Sequence, residues 1–268
     1  MDNLLIAAAL GIIQGLTEFL PVSSSAHLIL ARAFFGWDGD RFGLPFDVAL
    51  HAGTLVAVLA YFRADVRDMI LEAPGALTAR SGAGKLARVI AIGTLPVVIV
   101  GLLFADWLEA HLRTPAVIAA TLTIGGIALL LAERVGAQRR AEDSLTATDA
   151  VLMGTGQASA LVPGMSRAGS TIAVGMFLGL TREAAARFSF LLGIPAIAGA
   201  AAKEGLHLLG EGLSREDLLL FAVGMATSAV VGYVTIKYFL RFLAGHRLDL
   251  FAYYRLALAA VTVVWLMR

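Results

Sequence analysis

Long apolar runs separated by short polar segments make up most of the chain. The runs have the length of helices, and the alternating pattern of outer-membrane barrel strands is absent. The predicted helical segments are residues 3–20, 24–35, 46–62, 87–108, 115–133, 147–162, 169–180, 183–202, 216–243 and 250–267. The three segments between residues 46 and 133 and the three from residue 183 onward are predicted to span a bilayer, which takes about 20 residues.

The other four segments form two broken pairs. Pro21 cannot continue a helix and the serines after it favour a helix start, so the first helix is predicted to end near Leu20. A second polar turn, residues 163–170, divides the other pair. Because no member of either pair has about 20 clean apolar residues, each pair is predicted to enter the bilayer and return as a re-entrant hairpin.

The two halves of the chain repeat this order. Pro163 follows Pro21 by the same number of residues that separates Phe188 from Phe46, and a glutamine precedes each break. Each half then holds one re-entrant pair and three spans. This is an odd number of crossings, so the two halves are predicted to have opposite orientations in the membrane.

Composition agrees with a single membrane domain, residues 1–268, of two repeats at about 1–134 and 146–268. Of 268 residues, 59% are hydrophobic and 15% charged, whereas a soluble domain has about a quarter charged. The predicted fold class is an all-α integral membrane protein, with six transmembrane helices plus two re-entrant helix pairs in inverted-topology repeats. A net charge of +1 predicts no nucleic-acid partner, and the absence of cysteine excludes disulfides and thiol catalysis.

Basic residues indicate the orientation in the membrane. Predicted loops on the side opposite the N-terminus hold more Lys and Arg, among them Arg63, Arg139 and Arg247, than the loops on the N-terminal side. Cytoplasmic loops carry the excess of these residues. Both termini are therefore predicted to lie outside the cytoplasm.

The first break carries groups that a helix facing lipid would not keep. Glu18, Ser23, Ser24, Ser25 and His27 all lie in one short stretch. Ionisable groups cost a few kcal/mol each at bilayer depth and mark functional sites by default. Structural roles stay open as the alternative, because Ser23 or Ser24 could cap the second helix and Glu18 could pair with His27.

The second break carries Arg167. A guanidinium stays protonated, so a buried Arg167 needs an anionic partner, either a carboxylate such as Glu18 or Glu183, or a phosphate. Small residues and hydroxyls around it favour a phosphate cradle at a helix N-terminus. These candidates are Gly164, Ser166, Gly169, Ser170 and Thr171. Gln14 and His51 are further candidates to line the site, although His51 could equally bond a neighbouring helix.

The two breaks resemble the signature motifs of a known family. Residues 15–27, GLTEFLPVSSSAH, and residues 163–171, PGMSRAGST, are similar to the two motifs of the bacterial undecaprenyl-diphosphate phosphatases, the bacitracin-resistance protein family. Residues 46–55 and 187–195 also resemble this family. One departure concerns Gln14, which stands where many members have a second glutamate, and it weakens a metal site of two carboxylates.

The resemblance implies an enzyme that hydrolyses undecaprenyl diphosphate to undecaprenyl phosphate and inorganic phosphate. This reaction recycles the lipid carrier for peptidoglycan synthesis and confers bacitracin resistance. The resemblance further implies dependence on a divalent cation, Mg²⁺ or Ca²⁺, two interlocked inverted repeats, and a place in the bacterial inner membrane with the site open to the periplasm. The expected partners are this lipid and the bilayer, with a homodimer left open.

The resemblance assigns function to Glu18, His27, Arg167 and the serines. Arg167 is expected to hold the terminal phosphate, and Glu18 to bind the metal or activate the nucleophile. Three routes of attack stay open: Ser24 with His27 as base, His27 itself, or water activated by His27. The expected phosphate-binding residues are Ser23, Ser25, Ser166, Gly169, Ser170 and Thr171.

Two other classes of protein compete with a phosphatase. A polyprenyl-phosphate transporter or flippase would share the inverted repeats, the broken helices and the phosphate cradle. A carrier, however, does not need a nucleophile with its base. A non-catalytic scaffold would leave Glu18, His27 and Arg167 without a purpose. Phosphate release from a lipid diphosphate separates the enzyme from both alternatives.

Overall fold

The computed structural model describes residues 3–39, 41–79, 82–211 and 214–268. Within these ranges the regular structure is helical, apart from one isolated β-bridge. The helices are α1 Asn3–Thr17, α2 Ser24–Phe35, α3 Leu44–Tyr61, α4 Arg63–Glu72, α5 Gly82–Leu112, α6 Pro115–Val135, α7 Ala147–Ser159, α8 Arg167–Phe177, α9 Arg182–Glu211, α10 Arg215–Leu243 and α11 Asp249–Leu266.

Six helices in the described part of the chain are long and apolar enough to cross a membrane: α3, α5, α6, α9, α10 and α11. They coincide with the six predicted spans, which confirms an all-helical membrane protein. Their outer faces expose large apolar side chains, such as Leu102 at 82% and Val230 at 67%. Apolar surface on this scale suits contact with lipid rather than water, so the chain is a multi-pass membrane protein.

The sequence predicts no helix between residues 62 and 87, which is wrong over residues 63–72, because they form α4. Val66 and Met69 of this helix are partly buried and pack on the core. Arg67 and Asp68 are largely exposed and pair with each other. The density of charge hid an amphipathic pattern in which apolar residues recur three positions apart on one face.

Several helix ends differ from the predicted ones, and two of these differences affect the site. α1 ends at Thr17 rather than near Leu20, so Glu18 lies just beyond a helix end. α8 begins at Arg167 rather than at residue 169, so the guanidinium extends from the first turn of that helix. Both charged residues therefore lie where a helix stops or starts.

Close helix contacts hold the short helices beside the breaks. α1 packs on α10, and α7 packs on α5. A Cβ added to Gly15 would lie 2.8 Å from the backbone nitrogen of Gly232, and one added to Gly154 would lie 2.1 Å from the carbonyl oxygen of Gly93. Only glycine permits such an approach of two backbones, as is common between membrane helices.

The hydrophobic core anchors the first break. Phe19, which directly follows Glu18, is fully buried. Its ring packs edge-to-face against Phe190 of α9, with 5.3 Å between the ring centroids. Phe62, just after α3, belongs to the same buried cluster, with 6.5 Å between its ring centroid and that of Phe190. This aromatic packing therefore restricts the backbone that carries Glu18.

Candidate active site

The two breaks have the same local backbone geometry. Ser23 and Ser166 precede α2 and α8 with positive φ angles of 75° and 69°. Each hydroxyl oxygen accepts a hydrogen bond from a backbone N–H three residues on, from Ala26 at 3.4 Å and from Gly169 at 3.0 Å. Positive φ is rare for serine and persists only where the surroundings enforce it. The capping role left open for Ser23 is confirmed, and both helix N-termini point to one place.

Glu18 is the most heavily bonded group of the first break and is only 5% exposed. Its Oε2 accepts hydrogen bonds from Ser24 Oγ at 2.7 Å and from Gln14 Nε2 at 3.2 Å, and His51 Nε2 lies 3.4 Å away. His51 Nδ1 donates to the carbonyl oxygen of Asp47 at 2.7 Å. His51, undecided from sequence, therefore pairs with Glu18 at the site.

Arg167 brings the second break to Glu18. Its Nε and Nη2 donate to Glu18 Oε1 at 3.3 Å and 3.2 Å, and its Nη1 donates to the carbonyl oxygen of Ser189 at 2.8 Å. The side chain is 12% exposed. Of the two carboxylate partners that the sequence left open, Glu18 is the one that Arg167 contacts.

A cavity of about 240 Å³ opens where the breaks meet. Its polar lining consists of Glu18, Ser23, Ser24, Ser25, His51, Gln157, Ser166 and Arg167. Its apolar lining includes Val48 of α3, Val97 of α5 and Ile197 of α9. A polar centre beside an apolar wall suits a ligand with a charged head and a hydrocarbon chain.

His27 lies apart from this cluster. Its Nδ1–H donates to the carbonyl oxygen of Ser23 at 2.7 Å, and its Nε2 accepts from the Tyr254 hydroxyl at 2.7 Å. Among the described contacts, the pairing of Glu18 with His27 does not form. The role of His27 as the base for Ser24 stays a prediction, since it is Glu18 that contacts the Ser24 hydroxyl.

Three of the expected phosphate-binding residues, Ser23, Ser25 and Ser166, line the cavity. Ser25 Oγ accepts a hydrogen bond from Gly164 N at 3.3 Å and lies 3.2 Å from Ser23 Oγ. This contact joins the two breaks directly, so the hydroxyls of one break are positioned by the backbone of the other.

The other three, Gly169, Ser170 and Thr171, lie outside the cavity lining. Ser170 Oγ donates to the carbonyl oxygen of Met165 at 3.3 Å, and Thr171 Oγ1 donates to that of Arg167 at 2.7 Å. Thr171 is fully buried. These residues shape the start of α8, and their role as phosphate ligands stays a prediction.

The lining offers oxygen ligands to a cation but no closed metal site. The described residues contain no group of three or more His, Cys, Asp or Glu side chains placed for a metal ion. Gln14, however, donates its Nε2 to Glu18, and its Oε1 is buried without a hydrogen-bond partner among the described residues. Mg²⁺ is commonly bound by one or two carboxylates together with substrate phosphates. Glu18 offers such a carboxylate on the cavity wall, whereas Gln14, a predicted lining residue, is fully buried and lies outside the cavity lining.

Arg255 is absent from the residues predicted from the sequence, yet it contacts both breaks. It is fully buried in α11. Its guanidinium donates at 3.0–3.3 Å to the backbone carbonyl oxygens of Pro21, Thr121, Leu122, Gly164 and Met165. The sequence contained a signal for it, because an arginine inside an apolar span is a candidate functional residue by default.

The fold and the site together define a multi-pass membrane protein with a polar pocket built from two helix breaks. The family described as bacitracin resistance protein BacA matches residues 7–261, and the chain belongs to this family. The resemblance of the two sequence motifs is thereby confirmed over nearly the whole chain.

Curated relatives cover the full chain. An undecaprenyl-diphosphatase of Rubrobacter xylanophilus is 47% identical over 271 residues, with 100% of each chain covered. Undecaprenyl-diphosphatases of Moorella thermoacetica and Geobacter metallireducens are 46% and 43% identical, each with 98% of both chains covered.

Proposed function

We propose that this protein hydrolyses undecaprenyl diphosphate to undecaprenyl phosphate and inorganic phosphate, and so returns the lipid carrier to peptidoglycan synthesis and confers bacitracin resistance. The observation that carries the proposal is the contact of Glu18 with both Ser24 and Arg167 at one cavity. These contacts bring together the Ser24 hydroxyl, the Glu18 carboxylate that can accept the hydroxyl proton, and the Arg167 cation. The full-length similarity to undecaprenyl-diphosphatases supports the substrate.

The charges in and around the cavity suit a diphosphate. Arg167 faces the cavity and Arg255 lies behind both breaks, where no described carboxylate bonds its guanidinium. The N-termini of α2 and α8 add partial positive charge at the same place. Phosphoryl transfer depends mainly on positioning and on charge stabilisation, and these groups supply both.

The hydrogen bond of 2.7 Å from Ser24 Oγ to Glu18 Oε2 supports Ser24 as nucleophile. In the proposed first step, Ser24 Oγ bonds to the terminal phosphorus and its proton passes to Glu18. The bond from that phosphorus to the bridging oxygen breaks, and undecaprenyl phosphate leaves. Glu18 passes that proton to the departing lipid phosphate. In the second step Glu18 takes a proton from water as the water oxygen bonds to phosphorus, the Ser24 Oγ–phosphorus bond breaks, the proton returns to Ser24 Oγ, and inorganic phosphate leaves. His27, held by Tyr254, orients the Ser23 carbonyl beside this centre.

A divalent cation, Mg²⁺ or Ca²⁺, would be held by Glu18 and Gln14 together with phosphate oxygens. When bound, it would supply positive charge to the transferring phosphate. The unpartnered Oε1 of Gln14 supports this assignment.

The polyprenyl tail is proposed to lie along the apolar wall formed by Val48, Val97 and Ile197. We place the protein in the bacterial inner membrane, with the site and both termini facing the periplasm. In this topology α1–α2 and α7–α8 are re-entrant pairs, and the halves at about 1–134 and 146–268 are inverted repeats within one domain. The equal caps at Ser23 and Ser166 support this symmetry.

The topology can be tested by labelling, because the natural chain has no cysteine. Gly39→Cys follows α2, Glu109→Cys ends α5 and Arg139→Cys lies between α6 and α7, all at exposed positions. A thiol reagent that cannot cross membranes should label the first two in spheroplasts and the third only after lysis. Labelling of Gly39→Cys and Arg139→Cys from the same side would contradict the three crossings by α3, α5 and α6, and labelling of Arg139→Cys rather than Gly39→Cys in spheroplasts would contradict the orientation.

The activity is tested by inorganic phosphate release from undecaprenyl diphosphate by purified protein, with and without EDTA, beside Glu18→Ala. We expect release that needs a divalent cation and is lost in the variant. A folded wild-type protein that releases no phosphate with Mg²⁺ or Ca²⁺ would overturn the proposal. Lipid translocation in liposomes would then test the carrier alternative, which no contact at the site specifically favours.

A further inference from the structure

Gln157 is a buried polar residue on the wall of the cavity. It lies in the last turn of α7, just before the second break, and is 2% exposed. Neither its amide oxygen nor its amide nitrogen has a hydrogen-bond partner within the described part of the chain. Buried donors and acceptors in proteins are almost always paired. A side chain of this kind on a cavity wall therefore indicates a ligand.

Gln14, the equivalent glutamine in the first half, has a hydrogen-bond partner for its amide nitrogen. Gln14 lies near the end of α1, and its Nε2 donates to Glu18 four residues later. The position four residues after Gln157 is Leu161, which also lines the cavity and has no polar atom in its side chain. The local partner that occupies Gln14 is thus missing in the second half, and the amide of Gln157 is left for a molecule in the cavity.

The neighbours of Gln157 on the cavity wall identify the chemistry of that molecule. Arg167, Ser166 and Ser24 line the same cavity. Part of the hydrogen-bonding capacity of Arg167 is already used by Glu18 and the Ser189 carbonyl. An amide NH₂ provides two further donors without adding charge. Donors around an anionic group are what the oxygens of a phosphate require.

We propose that Gln157 is a binding residue for the terminal phosphate of the lipid diphosphate, to whose oxygens its Nε2 donates. This inference rests on the proposed hydrolysis of undecaprenyl diphosphate and extends the site to α7. Gln157 holds the phosphorus toward Ser24 while Arg167 balances its charge. The same contact binds inorganic phosphate, the product, at the end of the reaction.

Two substitutions and one control test this role. Gln157→Leu removes the amide at nearly constant size, and Gln157→Glu keeps the size but repels phosphate. Thr155→Val is the matched control, because Thr155 lies on the same helix, is exposed, and donates its hydroxyl to the Val151 carbonyl. Phosphate release, product inhibition by inorganic phosphate and thermal stability are measured in detergent for each variant.

We expect kcat/KM to fall about tenfold to 100-fold in Gln157→Leu, the effect of losing a hydrogen bond to a charged group, and further in Gln157→Glu. Inhibition by inorganic phosphate should weaken in both, and Thr155→Val should match the wild type. Replacing an unpaired buried amide by an apolar group of similar size should leave thermal stability equal or higher.

Unchanged kcat/KM and unchanged phosphate inhibition in Gln157→Leu, with an active wild type, would overturn this inference alone. A loss of activity that merely follows a loss of thermal stability would also overturn it, because it would assign Gln157 to packing. An inactive wild type would overturn the proposed hydrolysis and this inference together.

Discussion

Glu18 and Arg167 are 149 positions apart in the chain, yet Arg167 Nη2 lies 3.2 Å from Glu18 Oε1. Each residue lies at a helix end beside a break, Glu18 after α1 and Arg167 at the start of α8. The Glu18 carboxylate therefore contacts a cation, Arg167, and a hydroxyl, that of Ser24. Arg167 donates to Oε1 of Glu18, and the Ser24 hydroxyl donates to Oε2. Charge compensation and nucleophile activation thus meet in one side chain.

Two substitutions of Arg167 should distinguish the effect of its positive charge from the effect of its paired N–H donors on phosphate release. We expect Arg167→Ala to lower phosphate release by about 1,000-fold, since an arginine that stabilises a transferring phosphate contributes this much or more. Arg167→Lys retains the charge but loses the paired N–H groups, so an intermediate loss is expected. Steady-state phosphate release measures both.

Arg167→Ala also leaves Glu18 buried without its cation, which is destabilising. Thermal stability of both variants in detergent is therefore the control, and Arg167→Lys provides the comparison if the alanine variant unfolds. A folded Arg167→Ala protein with normal turnover would contradict the role of Arg167 at the phosphate.

Alanine substitutions of Ser24 and Ser25 in the first break should lower activity to very different extents. Ser24 donates to Glu18, whereas Ser25 accepts from the backbone of Gly164. We expect Ser24→Ala to lose activity by at least about 1,000-fold, because removing a nucleophile leaves only the binding and electrostatic terms. Ser25→Ala should lose less than about tenfold, the effect of one neutral hydrogen bond. Trapping of a phosphoserine in the wild type and not in Ser24→Ala would complete the test, and equal activity of the two variants would exclude Ser24 as nucleophile.

The members of the site could be predicted from the sequence because lipid makes polar residues expensive. Glu18, Ser24 and Arg167 were identifiable in apolar surroundings, without knowledge of what each contacts. The contacts themselves could not be predicted, since whether Glu18 meets His27, His51 or Arg167 depends on how α3 and α8 pack against the first break. His27 and His51 both stand in apolar stretches of the sequence, yet of the two only His51 contacts Glu18 among the described contacts.

The residues that sequence reasoning missed share a physical cause. Arg255 lies within a span whose other residues are mostly apolar, and its role appears only when the carbonyls of two distant breaks surround it. In the sequence, Gln157 is recognisable only as the repeat equivalent of Gln14. The lack of a hydrogen-bond partner for its amide, among the described residues, is evident only from the structure. The six spans follow from composition, whereas α4 was hidden by its charges.

Gln14 gives a test of the cation that does not depend on the nucleophile. Its Oε1 is buried and unpartnered while its Nε2 donates to Glu18. We expect Gln14→Glu to lower the Mg²⁺ or Ca²⁺ concentration for half-maximal phosphate release by about tenfold, because a second carboxylate raises affinity for a hard cation. Gln14→Leu should raise that concentration. The same half-maximal concentration in all three proteins would exclude Gln14 as a ligand.

Arg255 should support the structure of both breaks at once. Its guanidinium bonds the carbonyl of Pro21 in the first break and the carbonyls of Gly164 and Met165 in the second. Lysine keeps the charge but has three donors from one nitrogen, so it cannot reach all of these carbonyls. We therefore expect Arg255→Lys to lower the midpoint of thermal unfolding by about 5–10 °C, as the loss of a few kcal/mol does in a chain of this size.

The control for Arg255→Lys is Arg241→Lys, at an exposed arginine that lies over the ring of Tyr238. This variant should unfold at the wild-type temperature. Because lysine at position 255 preserves the positive charge behind the breaks, KM for the lipid diphosphate should change little, while kcat falls as Ser24 and Arg167 lose their alignment. If instead KM rises and the unfolding temperature is unchanged, Arg255 acts through its charge on substrate binding and not by joining the two breaks.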